Sequence, residues 1–162
     1  MQRMTVIVTL LLLCLGTGCT GDKSSSDDGG PPLLTAMTLG EQTVLPVEEY
    51  LAMAPYTSAD RGNGQRQAQM CRACHSLEEG GANMIGPNLY GFFGKRVGAA
   101  PGFSYSAAVR EVDFVWTPRA LDAWLLQPGR FLPGNRMTFA GVAKEKDRVD
   151  LIAYLLEASS GP

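Results

Sequence analysis

The pentapeptide Cys71-Arg72-Ala73-Cys74-His75 constrains this chain more than any other stretch. Residues three apart on a helix point the same way, so the sulfurs of Cys71 and Cys74 can reach one edge of a shared ligand. A histidine directly after such a pair is typical of covalent haem attachment, in which the cysteines bond the two vinyl groups and the histidine ligates the iron. The motif therefore predicts one covalent haem c, held by Cys71 and Cys74, with His75 as an axial ligand.

Other uses of a Cys-x-x-Cys pair fit this chain less well. A thioredoxin-like redox pair needs a strand–helix setting, and none surrounds the motif. A zinc site usually needs four Cys or His ligands. Here His75 is the single histidine, and the remaining cysteines, Cys14 and Cys19, lie within the first twenty residues. Ligand count and spacing together favour haem.

The second axial ligand can be sought by elimination. With no second histidine a bis-histidine haem is excluded, and methionine is the usual partner in c-type electron carriers. Of the seven methionines, two lie in the leader, two precede the haem domain, and Met70 is too close to the motif to reach the opposite face. Met84 and Met137 remain. Met137 follows residues 133–136, a non-helical Pro-Gly-Asn-Arg segment stiffened by its proline, and this context favours Met137 over Met84.

Residues 1–18 form a predicted signal peptide, since one basic residue precedes an apolar run too short to span a bilayer stably. Small residues then lead directly to Cys19, as in a bacterial lipoprotein cleavage site, although Gly16 stands where leucine is commoner. We expect Cys19 to be lipidated and the protein to lie on the periplasmic side of a bacterial membrane. There are two alternatives. The signal peptide is cleaved in the ordinary way and leaves Cys19 as a free thiol, or it is not cleaved and anchors the protein in the membrane.

Composition divides the rest of the chain into two parts. Residues 19–56 comprise the lipidated cysteine and a predicted flexible tether, which is polar and glycine-rich as far as Pro32. No firm structure can be assigned to residues 33–56. Residues 57–162 form the predicted haem domain, which is all-α with long loops. The patterns predict helices over residues 60–73, 104–111, 118–127 and 144–158, and a loop wrapped on the haem over residues 76–102.

Several sequence blocks between residues 60 and 158 are similar to those of class I cytochromes c, in the branch that includes mitochondrial cytochrome c. The blocks are Cys71-Arg72-Ala73-Cys74-His75, Gly86-Pro87-Asn88-Leu89, Pro101-Gly102-Phe103-Ser104-Tyr105, Trp116, Pro133-Gly134-Asn135-Arg136-Met137 and Asp150-Leu151-Ile152-Ala153-Tyr154-Leu155. The resemblance implies a class I fold, in which three main helices, short helices and long loops surround one haem. It also implies that the first and last helices cross at Gly64, near Tyr154.

The resemblance further implies roles around the haem. The carbonyl of Pro87 is expected to accept a hydrogen bond from His75. Tyr105 and Trp116 are expected to hydrogen-bond a buried haem propionate, and the alternative for both is a plain core aromatic. The chain departs from the family pattern near the helix crossing and the haem, at Ala68, Val109, Trp124 and Asn135.

A haem with both axial positions filled has no open site for oxygen or peroxide, so the predicted function is the transfer of single electrons. The sequence offers no free histidine base, phosphate-binding loop or zinc set, and we expect an electron carrier rather than an enzyme. A haem peroxidase or ligand sensor would require displacement of Met137. The expected partners are respiratory or photosynthetic membrane complexes, such as a quinol–cytochrome c oxidoreductase and a terminal oxidase. We expect a lipid-anchored monomer that binds no nucleic acid.

Overall fold

A computed structural model describes residues 34–160, so the predicted signal peptide and Cys19 lie outside the described residues. The α-helices of this part, in chain order, are α1 (Val47–Ala52), α2 (Arg61–Arg72), α3 (Ala107–Glu111), α4 (Pro118–Leu126), α5 (Pro128–Phe131) and α6 (Glu145–Ala158), with a 3₁₀ turn at Tyr56–Ser58 between α1 and α2. Between residues 34 and 160 no β-strand forms, and extended chain meets only in an antiparallel bridge between Arg96 and Val115. No helix in this range is long and apolar enough to cross a membrane.

The helix starts are set by local caps that the sequence contains. The Asp60 carboxylate accepts from the backbone N–H of Asn63 at 2.9 Å at the start of α2. Thr117 Oγ1 accepts from the N–H of Ala120 at 3.2 Å, with a proline at the first position of α4. The helical class and the predicted positions of α2, α4 and α6 are confirmed. The helix predicted from residue 104 begins only at 107, because Ser106 caps α3.

The helices α2 and α6 cross in close contact. A Cβ on Gly64 would come 2.1 Å from the carbonyl oxygen of Asp150 and 2.7 Å from the Cβ of Tyr154. Ala68, one turn further along α2, is fully buried. The crossing at Gly64 beside Tyr154 is therefore as expected, and the small side chain at position 68 leaves room for the two helices to lie close together.

A buried carboxylate ties the same two helices together. Asp150 is 1% exposed. Its Oδ1 accepts from the N–H of Asp60 at 2.9 Å, and its Oδ2 accepts from Asn63 Nδ2 at 2.8 Å and Lys146 Nζ at 2.7 Å. These three donors compensate the desolvation of the charge. One side chain of α6 thus holds the start of α2 in place.

Residues 34–56 pack on the helical domain, in contrast to the tether predicted for residues 19–56. Leu39 is 2% exposed and belongs to the core. Its carbonyl accepts from Arg119 Nη1 at 2.5 Å, and the N–H of Ala36 donates to the carbonyl of Phe131 at 3.0 Å. We call residues 34–46 the strap. Most of the strap has no regular secondary structure, so its apolar residues show no period and its packing left no sequence signal.

Candidate functional site

A cavity of about 960 Å³ lies between the end of α2, the long loop that follows it, and the segment before α6. Its volume lies at the upper end of the range for small-molecule and cofactor sites. Its lining is mainly apolar, and it brings together all seven residues that the sequence assigns to the haem, namely Cys71, Cys74, His75, Pro87, Tyr105, Trp116 and Met137. The alternative ligand Met84 does not line the cavity, and its side chain is half exposed.

The cysteines lie where α2 ends and the chain turns. The N–H groups of Cys74 and His75 both donate to the carbonyl of Cys71, at 3.0 and 2.9 Å, and this turn directs the motif to the cavity. Both thiols are free and half-buried. Burial raises the pKa of Cys71 to about 11. A raised pKa keeps this thiol protonated near neutral pH, which is unfavourable for thiolate redox or metal chemistry.

The His75 ring is oriented by the loop beneath it. Its Nδ1 lies 2.7 Å from the carbonyl oxygen of Pro87, so that the ring N–H donates to this carbonyl and Nε2 is left to bind a metal. Burial lowers the pKa of His75, and the Pro87 carbonyl opposes that shift. The backbone of Gly86 lies close against the ring. A Cβ at this position would come 2.2 Å from His75 Cε1.

Two asparagine side chains organise the cavity loops, and the sequence did not predict their roles. Asn88 Nδ2 donates to the carbonyls of Glu78 and Gly81, at 3.0 and 2.6 Å. Asn135 Nδ2 donates to the carbonyls of Pro128 and Leu132, at 2.9 and 2.8 Å. Each amide replaces the backbone hydrogen bonds that an irregular loop lacks. In the sequence, these roles were indicated only by the position of each asparagine within a glycine- and proline-rich segment.

Asn135 also restrains the chain that leads to Met137. Its Oδ1 accepts from the backbone N–H of Met137 at 2.8 Å, and the next side chain, Arg136, donates to the carbonyl of Ser104. Met137 is half-buried and packs against the core. The asparagine that departs from the family pattern therefore restrains the loop that presents Met137.

The aromatic side of the cavity combines ring packing with polar groups. Tyr105 Oη accepts from the N–H of Ala100 at 3.3 Å. Burial raises the pKa of the Tyr105 phenol, and the Ala100 N–H opposes the rise. The ring of Trp116 packs edge-on against Trp124, with centroids 5.6 Å apart at 82°. Trp124 and Val109, two of the residues that depart from the family pattern, are buried apolar residues in the cavity lining.

The cavity fits a large flat cofactor on its own chemistry. It offers two thiols for covalent attachment, an imidazole nitrogen on one element, a thioether on another, and phenol and indole groups that can bind an anionic substituent. These features define a class, the proteins that hold haem covalently through a Cys-x-x-Cys-His motif.

Comparison with known proteins gives the family. No family model matches the chain. It is 48% identical over 90 residues to a cytochrome c of Theileria parva, which covers 56% of this chain and 77% of the relative. It is 41% identical over 112 residues to a cytochrome c of Chlamydomonas reinhardtii, covering 67% and 100%. It is also 41% identical over 118 residues to a cytochrome c homolog of Bradyrhizobium diazoefficiens, covering 72% and 61%.

The chain belongs to the cytochrome c family. It therefore carries one covalently bound haem c, and it is an electron carrier rather than an enzyme.

Proposed function

We propose that this protein is a lipid-anchored, periplasmic mono-haem cytochrome c that carries single electrons between membrane complexes. One observation supports this most directly: the two thiols, the His75 imidazole and the Met137 thioether line the same cavity. In the proposal Cys71 and Cys74 bond the haem covalently, and His75 and Met137 ligate its iron. α2, α4 and α6 are the three main helices of a class I fold.

When bound, the haem supplies a one-electron couple between ferric and ferrous iron. In the proposal the protein groups hold the same two ligands to the iron in both oxidation states. The Pro87 carbonyl holds the His75 ring by its Nδ1–H and raises the basicity of the other nitrogen. Asn135 holds the loop that carries Met137. With His75 and Met137 both bound, the iron would have no open coordination position for oxygen or peroxide.

Tyr105 and Trp116 are proposed to hydrogen-bond a haem propionate. Both line the cavity, and both carry an N–H or O–H group on an otherwise apolar ring. A propionate taken into an apolar site needs such donors, since an unpaired buried carboxylate would be costly.

The proposed anchor is a lipid on Cys19, following cleavage of residues 1–18. The packed part of the chain begins by residue 34, so only residues 20–33 separate the anchor from it. Fourteen residues can span at most about 50 Å when fully extended. The haem domain would therefore stay near its membrane and exchange electrons with complexes in it, such as a quinol–cytochrome c oxidoreductase and a terminal oxidase.

The test of the ligand set is optical spectroscopy on the purified holoprotein. We expect a low-spin six-coordinate haem in both oxidation states, and a weak sulfur-to-iron charge-transfer band in the ferric protein. Met137→Ala should abolish that band and lower the midpoint potential, since the thioether favours ferrous iron. The matched variant Met84→Ala should keep both. The reverse pattern would assign the ligand to Met84.

The attachment and the anchor are tested separately. Haem should stay on the polypeptide through a denaturing gel and acid–acetone extraction, and extraction of the haem would refute covalent attachment.

Cys19→Ser should release or misprocess the protein during membrane fractionation. Unchanged membrane association in that variant would refute the lipid anchor without affecting the haem assignment.

A further inference from the structure

One wall of the cavity is a two-segment ladder formed by residues 94–97 and 114–116, which we call the wall. Its backbone hydrogen bonds run from Val97 N–H to Phe114 O at 2.8 Å, from Trp116 N–H to Lys95 O at 2.9 Å and from Gly94 N–H to Trp116 O at 2.8 Å. The antiparallel bridge between Arg96 and Val115 lies at its centre. Since successive backbone groups of an extended chain alternate in direction, the N–H and C=O of Val115 point away from the partner segment.

The side-chain amide of Gln42, in the strap, occupies that outer edge. Gln42 Oε1 accepts from the N–H of Val115 at 2.9 Å, and Gln42 Nε2 donates to the carbonyl of Val115 at 2.8 Å. Nε2 also lies 3.3 Å from Thr117 Oγ1, the cap of α4. A primary amide carries the same donor and acceptor as a peptide group, so Gln42 supplies the hydrogen bonds that another extended segment would make at this edge.

The two bonds to Val115 are not equivalent. The Val115 carbonyl has a second donor in the N–H of Thr117, at 3.0 Å. Among the described residues, Gln42 is the partner of the Val115 N–H. Loss of the Gln42 amide therefore leaves mainly this N–H without its hydrogen bond.

Gln42 is held from both sides of the strap. On one side Leu39 is buried in the core, with its carbonyl bonded to Arg119. On the other side Val44 lies against Gly94, where a Cβ would come 2.9 Å from Val44 Cγ1. The Gln42 amide thus rests on an anchored segment and can restrain the wall.

The residue next to Val115 connects the wall to the cavity. Trp116 lines the cavity, and its ring is wedged edge-on against Phe92, Phe114 and Trp124, with centroid distances of 6.1, 5.0 and 5.6 Å. A shift of the backbone at Val115 would move the indole against these rings, and with it the side of the cavity that it closes.

We propose that Gln42 is a positioning residue of the haem cavity. By pairing with both backbone groups of Val115 it completes the outer edge of the wall, and thereby fixes the Trp116 indole and limits access to the iron from that side. The inference rests on the proposed function in one respect, namely that this cavity holds the haem.

The test compares Gln42→Leu and Gln42→Glu with wild type in the full-length holoprotein. Amide hydrogen exchange is measured at Val115 and at Leu151, a buried residue of α6. The rate at which added imidazole binds the ferric protein is measured in parallel. Gln42→Leu should raise both the Val115 exchange rate and the imidazole rate about tenfold, the effect of one net hydrogen bond, and should leave Leu151 unchanged.

Gln42→Glu keeps an acceptor for the Val115 N–H but sets its second oxygen against the Val115 carbonyl, so its Val115 exchange rate should lie between those of wild type and Gln42→Leu. Thr43→Leu, at the neighbouring exposed strap position, is the matched control and should behave as wild type. Unchanged Val115 exchange in Gln42→Leu would overturn the proposal, as would faster exchange with an unchanged imidazole rate. An equal loss of protection at Leu151 would reduce Gln42 to a contributor to global stability.

Failure of the proposed ligand set is detected independently, by the absence of the charge-transfer band from the wild-type ferric protein. Hydrogen exchange at Val115 does not depend on which methionine binds the iron, so the two conclusions can fail separately.

Discussion

Gly86 shows how a single residue decides the orientation of the proposed ligand His75. Its N–H donates to the carbonyl of Cys74 at 2.9 Å, which brings the loop directly under the His75 ring. The ring then lies so close that no side chain fits between backbone and imidazole. The carbonyl of the next residue, Pro87, meets Nδ1 as a consequence of that approach.

Gly86→Ala should therefore disturb the haem site itself. A Cβ at this position would lie 2.2 Å from His75 Cε1 and 2.6 Å from Nδ1, so the ring must turn or the loop must retreat. We expect a cost of about 1–3 kcal/mol in the free energy of unfolding, together with a changed midpoint potential as the bond to Pro87 is lost. Denaturant unfolding and redox titration measure these effects.

Gly129→Ala is the matched control, because nothing lies within 4 Å of a Cβ there. It should leave the potential unchanged. A Gly86→Ala protein with wild-type potential and stability would contradict this account of the His75 orientation.

At the scale of the elements, α2 and α6 form the pair on which the haem domain depends. Their contact is an intimate backbone approach at Gly64, supported by the buried carboxylate of Asp150. Arg61 Nε adds an ion pair with Glu157 at 2.6 Å, but both side chains are substantially exposed, and such a pair contributes little. The close backbone approach at Gly64 and the buried carboxylate of Asp150 therefore contribute most to the stability of this helix pair.

Gly64→Ala should destabilise the protein although alanine favours helices. The added Cβ would lie 2.1 Å from a backbone oxygen of α6. This backbone atom can move away only if the two helices separate. We expect a loss of about 3 kcal/mol or more, against a propensity gain of about 1 kcal/mol. Denaturant unfolding gives the difference.

Gly62→Ala, in the same helix, isolates the propensity effect. Its Cβ would approach side-chain atoms alone, at 3.3 Å from Asp60 Oδ1 and 3.6 Å from Arg66 Nη1. It should be neutral or slightly stabilising. Equal effects at positions 62 and 64 would mean that the helix crossing does not require glycine.

Asp150 makes the same crossing sensitive to acid. Burial by itself would raise the pKa of this carboxyl, but hydrogen bonds from Lys146, Asn63 and the Asp60 N–H outweigh burial and lower it below the usual 3.8. A carboxyl whose pKa is lower in the folded state stabilises the protein above its unfolded pKa, and this stability is lost as pH falls through the folded pKa. We therefore expect the free energy of unfolding to decline below about pH 4.

Asp150→Asn should lower stability at neutral pH by about 1–3 kcal/mol, because an amide presents N–H groups to the donors that now bind the carboxylate. It should also flatten the acid dependence, measured by denaturant unfolding between neutral and acid pH. Asp113→Asn removes a carboxylate that is 82% exposed and should retain the dependence. An unchanged acid profile in Asp150→Asn would locate the acid sensitivity elsewhere.

At the scale of the whole molecule, the strap forms part of the packed haem domain. It contacts α4 through Arg119, α5 through Phe131 and the wall through Val115. These contacts join α4, α5 and the wall to residues that precede α1. The domain is therefore enclosed partly by chain that precedes α1.

A protein that starts at residue 57 should be less stable than one that starts at residue 34. The shorter chain loses the burial of Leu39 and every hydrogen bond of the strap. We expect the free energy of unfolding to fall by at least about 3 kcal/mol. Leu39→Ala in the full chain should reproduce about 2–5 kcal/mol of this loss. Equal unfolding midpoints for the two chains would show that the strap does not support the domain.

The sequence by itself determined the features whose chemistry is local. The Cys71–His75 motif, the Thr117 cap and the proline-stiffened segment before Met137 act within a few residues. Their pattern therefore predicts the haem attachment, the start of α4 and the preference for Met137. The tertiary structure alone decided the rest. Gln42 meets Val115 across 73 residues and Asp60 meets Asp150 across 90. Such contacts leave no period or motif, because what selects the residue is an unpaired backbone group that only the folded chain brings near.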